Sequence, residues 1–252
     1  MSIDPQYQHP AFPQPQDLNA TLWRYMDWPK FEWLVLNGRL FMPRLSLLTA
    51  TDPMEGKTPA GELAWWRKAA EEADNDEKKK NLIENRKKLD AFAAMFHPRW
   101  FVSCWHMRQH ENYAMWRCYT ASPDAVAVHT TYSALRKCLP DHVESGVVRY
   151  IDYRREGLAT MNLYQLVMHK RHYYDFEQEV RAVASEMALP QLGGDHIAGN
   201  SDERAYMPPI DLRHLIHGIR LHPEASESFR QKVESLASEK QLPKPLISEM
   251  VD

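Results

Sequence analysis

Hydrophobic and polar positions alternate with a period of two in several short runs of this chain. In one long run they recur at helical spacing. Residues 20–25 (ATLWRY) predict a short strand by their aromatic and β-branched content. Residues 30–37 predict one short helix with Phe31, Leu34 and Val35 facing inward, stopped at Asn37-Gly38. A second short strand is expected at 39–43, then a polar loop at 49–56 with Asp52-Pro53 as its turn starter. From about 59 to 96 the chain reads as helical. Leu63, Trp66 and Ala70, then Leu82, Leu89, Phe92 and Phe96, share a helical period, and the middle is dense in both charge signs. Two helices or one bent helix, mostly solvated, is the expectation.

Beyond residue 99 the elements are shorter. Strands are expected at 100–105, 125–129, 147–153 and 212–221, with a last short one at 246–251. A short helix or turn is expected at 111–119, short helices at 132–138 and 163–170, and a longer one opens at Pro223 and runs to about Ala237. Residues 187–209 read as a long irregular connection. Strands grouped with interposed helices do not follow the regular alternation of a doubly wound sheet, so the fold class expected is α+β. The chain divides into a flexible Pro-rich arm at 1–17 and a single mixed domain at 18–252, with a helical hairpin inserted at about 59–96.

One stretch stands apart: residues 173–183, YYDFEQEVRAV. Read as a strand, it turns Phe176, Val180 and Ala182 to a core and sets Glu177, Glu179 and Arg181 in a row on the other face. Two carboxylates two residues apart on a strand face lie roughly 7 Å from each other. Lining a cleft, each raises the other's pKa. Facing bulk water, they are an ordinary solvated edge.

The net charge of −3 gives no global basic field to recruit nucleic acid or an anionic membrane. No apolar run is long enough to span a bilayer, and the first residues carry no signal-peptide pattern. Cys104, Cys118 and Cys138 show no pairing pattern, which fits a reducing, cytoplasmic setting. Only nine glycines are present, with no GxGxxG and no Walker loop. Cys104, His106, His110 and Cys118 do not have the spacing of a zinc finger.

Four polar clusters remain as candidate chemistry: Arg24 in LWRY, Asp52 and Glu55 in DPMEG, Ser103 to His106 followed by Met115-Trp116 and Tyr119, and Glu177, Glu179 and Arg181. LWRY, DPMEG, FVSCW, MW and YYDFEQEVRAV, in that order, resemble a bacterial family of domains of unknown function. The order Arg24, Ser103, Glu177-Gln-Glu179 is also distantly similar to the arginine-class ADP-ribosyltransferases. Ser103-Cys-Trp departs from that family's usual S-T-S.

This second resemblance implies a split sheet, NAD as substrate, no metal, and ADP-ribosyl transfer or NAD glycohydrolysis; a setting such as bacterial phage defence or stress response is a separate expectation. It implies that Glu179 stabilises the oxocarbenium-like centre, that Glu177 orients or deprotonates an acceptor, and that Ser103 supports Glu179 or the ribose. Arg24 would hold the phosphates of the dinucleotide, and Tyr113, Trp116 or Tyr119 would stack on nicotinamide. The acceptor, protein or nucleic acid, stays open, and no membrane partner is expected. Glu179→Gln is expected to abolish nicotinamide release with little loss of stability. Two other readings stand beside this one. The first is a metal-dependent nuclease with Asp152, Glu177 and Glu179 as oxygen ligands. The second is a non-catalytic nucleotide sensor or interaction module.

Overall fold

A computed structural model describes residues 9–158, 162–188, 197–198 and 205–251. Its strands are β1 (Thr21–Asp27), β2 (Met42–Pro43), β3 (Trp100–Met107), β4 (Ala125–Thr131), β5 (Glu144–Val147), β6 (Arg149–Ile151), β7 (His169–Arg171), β8 (Glu179–Ser185), β9 (Ile197–Ala198), β10 (Ala205–Tyr206) and β11 (Gly218–Leu221). Its helices are α1 (Trp28–Asn37), α2 (Ala60–Glu71), α3 (Asp76–Phe96), α4 (Tyr113–Tyr119), α5 (Tyr132–Cys138), α6 (Tyr164–Met168), α7 (Leu212–Leu215) and α8 (Glu227–Glu239). Helix and strand are mixed around one principal sheet of order β11-β4-β1-β3-β8-β5, whose pairs all run antiparallel. The fold class is therefore α+β. No helix among the described residues is long and apolar enough to cross a membrane.

The strand period sorts the sheet into two faces. One carries Leu22, Met26, Phe101, Trp105, Val126, Val128, Val180, Ala182 and Ala184, which pack with Phe31, Leu34, Leu135, Phe229 and Val233 from α1, α5 and α8 into the main core. The other face carries two smaller cores. Trp23, Tyr25, Ala125 and Ala127 meet Met115 and Trp116 of α4. Trp100, Val102 and Val183 meet Leu45, Leu166, Val167 and Met168. Along this second face, between those two cores, lie His106, Cys104, Glu179 and Arg181.

Helix α1 forms as its sequence predicts. Pro29 sits in the first turn, and Gly38 closes the helix in the left-handed region at φ 59° while donating its N–H to Leu34 O. The hairpin of α2 and α3 is present at 60–96, and α3 buries none of its 21 residues. Several expectations need correction. The arm at 1–17 is packed where it is described: Ala11 and Phe12 are each 1 % exposed, and Val147 donates its N–H to Pro13 O. Residues 1–8 lie outside the described residues. The strand expected at 39–43 is only Met42–Pro43. Residues 212–215 are helical because the Asp211 side chain accepts from the N–H groups of Arg213 and His214, capping a turn. Residues 249–251 form a 3-10 turn, and Leu246 makes a single bridge to Arg220. Most of the connection expected at 187–209 lies outside the described residues, although β9 and β10 pair within it.

The stretch 173–183 is divided. His172–Glu177 is a 3-10 helix, Gln178 adopts a left-handed φ of 40°, and the strand begins only at Glu179. Phe176 is thereby turned outward, 37 % exposed, rather than into the core.

Candidate active site

β3 and β8 pair over seven positions, with Cys104 opposite Arg181 and His106 opposite Glu179. Cross-strand partners share a face, so these four side chains meet. Arg181 is fully buried and all five of its N–H groups are used. Nε and Nη2 donate to Glu179 Oε2 at 3.0 and 2.7 Å. Nη1 and Nη2 donate to the Glu55 carboxylate at 2.7 and 3.1 Å, and Nη1 also donates to Val167 O at 2.5 Å. Glu55 arrives there because Asp52 starts a turn, accepting the Met54 N–H at 3.0 Å while pairing with Arg171 at 2.6 Å. The DPMEG segment is thus more than a surface turn: both its acids are buried and ion-paired.

The second cation of the site is Lys170 of β7. Its ammonium bonds the Glu177 carboxyl and lies 3.8 Å from Glu179 Oε2 and 3.9 Å from Glu55 Oε2. The two glutamates are therefore neighbours, although a turn and not a continuous strand brings them together. Three carboxylates and two cations share one buried volume, and Glu177 and Glu179 respond to it in opposite directions. Burial and the charge of Glu179 raise the Glu177 pKa above the ordinary carboxylate range. Burial also works against charge on Glu179, but Arg181 and Lys170 outweigh it and hold Glu179 below that range. Burial opposes charge on Lys170 too, yet the surrounding carboxylates raise its pKa.

The contacts from Arg181 and Lys170 all fall on Glu179 Oε2. Cys104 lies against the same carboxylate, and burial followed by the charge of Glu179 pushes its thiol pKa up, which leaves it protonated and unreactive. The hydroxyl of Tyr119 turns to Glu177; burial and both glutamates raise its pKa. Tyr150 accepts the Glu179 N–H at 2.8 Å.

A cavity of about 130 Å³ opens beside Glu179. It exists because β1 and β3 pair at only two positions, Leu22 with Met107 and Trp23 with His106, whereas β1 and β4 pair at seven. From the Trp23–His106 pair onward residues of both faces line the seam: Trp23, Tyr25, Cys104 and His106 from one, Arg24 and Trp105 from the other. Tyr119 closes one side. Arg24 has no carboxylate partner among the described residues. It donates to Phe41 O at 3.1 Å and its guanidinium lies 5.7 Å from the Trp105 ring. Burial lowers its pKa to about 10, so it stays cationic at neutral pH.

The structure thus gathers Arg24, Tyr119, Glu177 and Glu179 from the expected set. It separates three others. Ser103 lies on the opposite face of β3, opposite Ala182, and accepts the Trp105 Nε1–H at 3.1 Å. The strand period gives its neighbour Cys104 the place beside Glu179. Trp116 is fully buried in the α4 core, donating to Glu111 at 3.0 Å, and does not line the cavity. Tyr113 is 63 % exposed at the start of α4. Asp152, a nuclease candidate, is the start of a turn after β6, where its carboxylate accepts the Arg154 N–H and pairs with Arg155. It does not join the glutamates. Lys170 and Tyr150 were not foreseen, because nothing local in HKRHYY or VRYID marks them as inward-facing. Comparison with protein-family models, with curated proteins and with solved structures returned no match.

Proposed function

We propose that the cavity is where the glycosidic bond of a nicotinamide dinucleotide is cleaved, its ADP-ribosyl group passing to water or to an acceptor. One observation carries this reading: Glu179 on the cavity wall and Glu177, joined to it through Lys170, have their pKa values moved in opposite directions. Such a separation marks an acid–base pair with divided roles. Glu179, held ionised, stabilises positive charge developing at the ribose carbon. Glu177, with its raised pKa, exchanges a proton nearer neutrality. The carbon–nitrogen bond breaks and its electron pair leaves with nicotinamide. The incoming oxygen or nitrogen forms the new bond, and its proton goes to Glu177.

Room and charge agree with this assignment. At about 130 Å³ the cavity is close to the size, near 150 Å³, that holds benzene, and it is open on one side. The ring of nicotinamide occupies it, and the rest of the dinucleotide lies outside. Arg24, a cation without an ion pair among the described residues, supplies the bidentate donors that phosphate favours. The seam between β1 and β3 supports the likeness to a split ADP-ribosyltransferase sheet, with Cys104 rather than Ser103 reaching the glutamate.

Incubation of the pure protein with NAD should release nicotinamide, measured by chromatography with and without cell extract as a source of acceptor. Glu177→Gln should slow release about 10²- to 10⁴-fold. Absence of release together with absence of NAD binding would sink the proposal. A second reading, a non-catalytic nucleotide sensor, is favoured by the self-sufficiency of Arg181, whose donors are all used inside the protein. NAD binding without nicotinamide release would select it.

A further inference from the structure

Most polar groups on the cavity wall are already engaged. Trp23 Nε1 donates to Arg108 O at 2.9 Å, Trp105 Nε1 donates to Ser103, and the Tyr25 hydroxyl accepts the Asn112 N–H at 2.8 Å. His106 differs. It is 2 % exposed, and its Nδ1 contacts the backbone carbonyl of Glu177. A carbonyl only accepts, so Nδ1 carries the proton and Nε2 is left as a bare lone pair. Nε2 is buried and has no hydrogen-bond partner. Among the described residues it is the only such orphaned side-chain nitrogen or oxygen on the cavity wall.

A buried acceptor without a donor costs stability unless something else satisfies it. The surroundings say what would. Trp23, Tyr25, Trp105 and Tyr119 make the wall aromatic, and the space is close to the size that takes one ring. We infer that the cavity takes a planar aromatic ring bearing an N–H donor, and that His106 Nε2 receives that N–H. This rests on the reading above, in which the ring is nicotinamide and the donor its carboxamide. Burial also holds the imidazole below its ordinary pKa, so the lone pair is available at neutral pH. A ring bearing a carboxylate in place of the carboxamide would set negative charge against that lone pair. His106 thus acts as a specificity residue, and its link to the Glu177 carbonyl couples ring placement to the acid–base pair.

The test compares three small probes by calorimetry at pH 7.5: nicotinamide, 3-acetylpyridine, which replaces the amide nitrogen by a methyl group, and nicotinic acid. The wild-type protein should bind nicotinamide at least about tenfold more tightly than either other probe, as expected when a buried acceptor loses its donor. His106→Leu should bind nicotinamide and 3-acetylpyridine within about threefold of each other, while His106→Gln, which keeps an acceptor oxygen, retains part of the preference. Equal affinities in the wild type, no binding of any probe, or an undiminished preference in His106→Leu would each overturn the inference. If circular dichroism shows that a variant does not fold, the wild-type comparison alone decides. NAD cleavage is followed in parallel. Cleavage without probe preference removes this inference and leaves the proposed function standing; preference without cleavage does the reverse.

Discussion

Replacing Glu179 by glutamine takes one charge from five that hold each other in place: Glu55, Glu177, Glu179, Lys170 and Arg181. The sequence suggested a mild substitution on a row of charges. The structure says otherwise, because Arg181 is buried and Glu179 Oε2 takes two of its donors. Breaking a buried pair costs about 3–5 kcal/mol, and Glu55 softens the loss here by keeping its own two bonds. The clearer signature is electrostatic. With the neighbouring negative charge gone, the Glu177 pKa should fall towards its ordinary 4.5. A carbon-13 titration of the labelled glutamate carboxyls reads this directly, and an unmoved Glu177 would show that the two do not interact. At this scale the period-two rule made the pairing of Glu179 with Arg181 legible. It also shows why Ser103 was misplaced: on a strand, one residue of difference is a change of face. Lys170 could not be read, since its partners lie 7 and 115 positions away.

Among the elements, periodicity recovered β1, α1, β3, β4, α5 and α8, where an apolar face is buried and the pattern reflects it. It failed at 172–178. Alternating charge and aromatic residues satisfy a strand pattern equally well when a 3-10 turn and one left-handed residue, Gln178, carry the chain into the site. The helical hairpin shows the opposite case, a correct element with little tertiary support. α3 has no fully buried residue and meets the body at its end, where Ala93 and Phe96 pack on the second core, and α2 is tied to the body at its start, where the Gly61 N–H reaches Tyr153 O and Glu62 accepts the Leu158 N–H. Helical stability comes mostly from packing, and local opening follows its absence. Amide hydrogen exchange should therefore run faster through the middle of α3 than in β3 and β8 by orders of magnitude. Equal protection would show that another surface covers the hairpin in solution.

For the molecule as a whole, the opposed shifts of Glu177 and Glu179 set a pH dependence of stability with a turning point. Glu177 titrates above its unfolded pKa when folded, so the native state binds the proton more tightly. Acidification from neutrality through that raised pKa towards 4.5 therefore adds stability. Glu179 titrates below its unfolded pKa, so the stability it contributes is present above about 4.5 and is lost as pH falls through its lowered folded pKa. Denaturant melts across pH 3 to 8 should show the mildly acidic gain in the wild type and its absence in Glu177→Gln. A gain that persists in that variant would assign it to another group.

The bonds from Glu55 to Arg181 join positions 126 residues apart, with the whole helical hairpin between them. Loop-closure entropy must be paid before a contact across so long a loop rewards it. The charged brace is therefore expected late in folding, a clasp fastened on a sheet already assembled. Arg181→Met should then speed unfolding, with the refolding rate nearly unchanged, in stopped-flow measurements. A refolding rate that falls by the same factor would place the clasp in the folding nucleus. If it does close last, the chemistry of this chain is withheld until both halves have arrived, and a partly made molecule carries the residues of the site without the site.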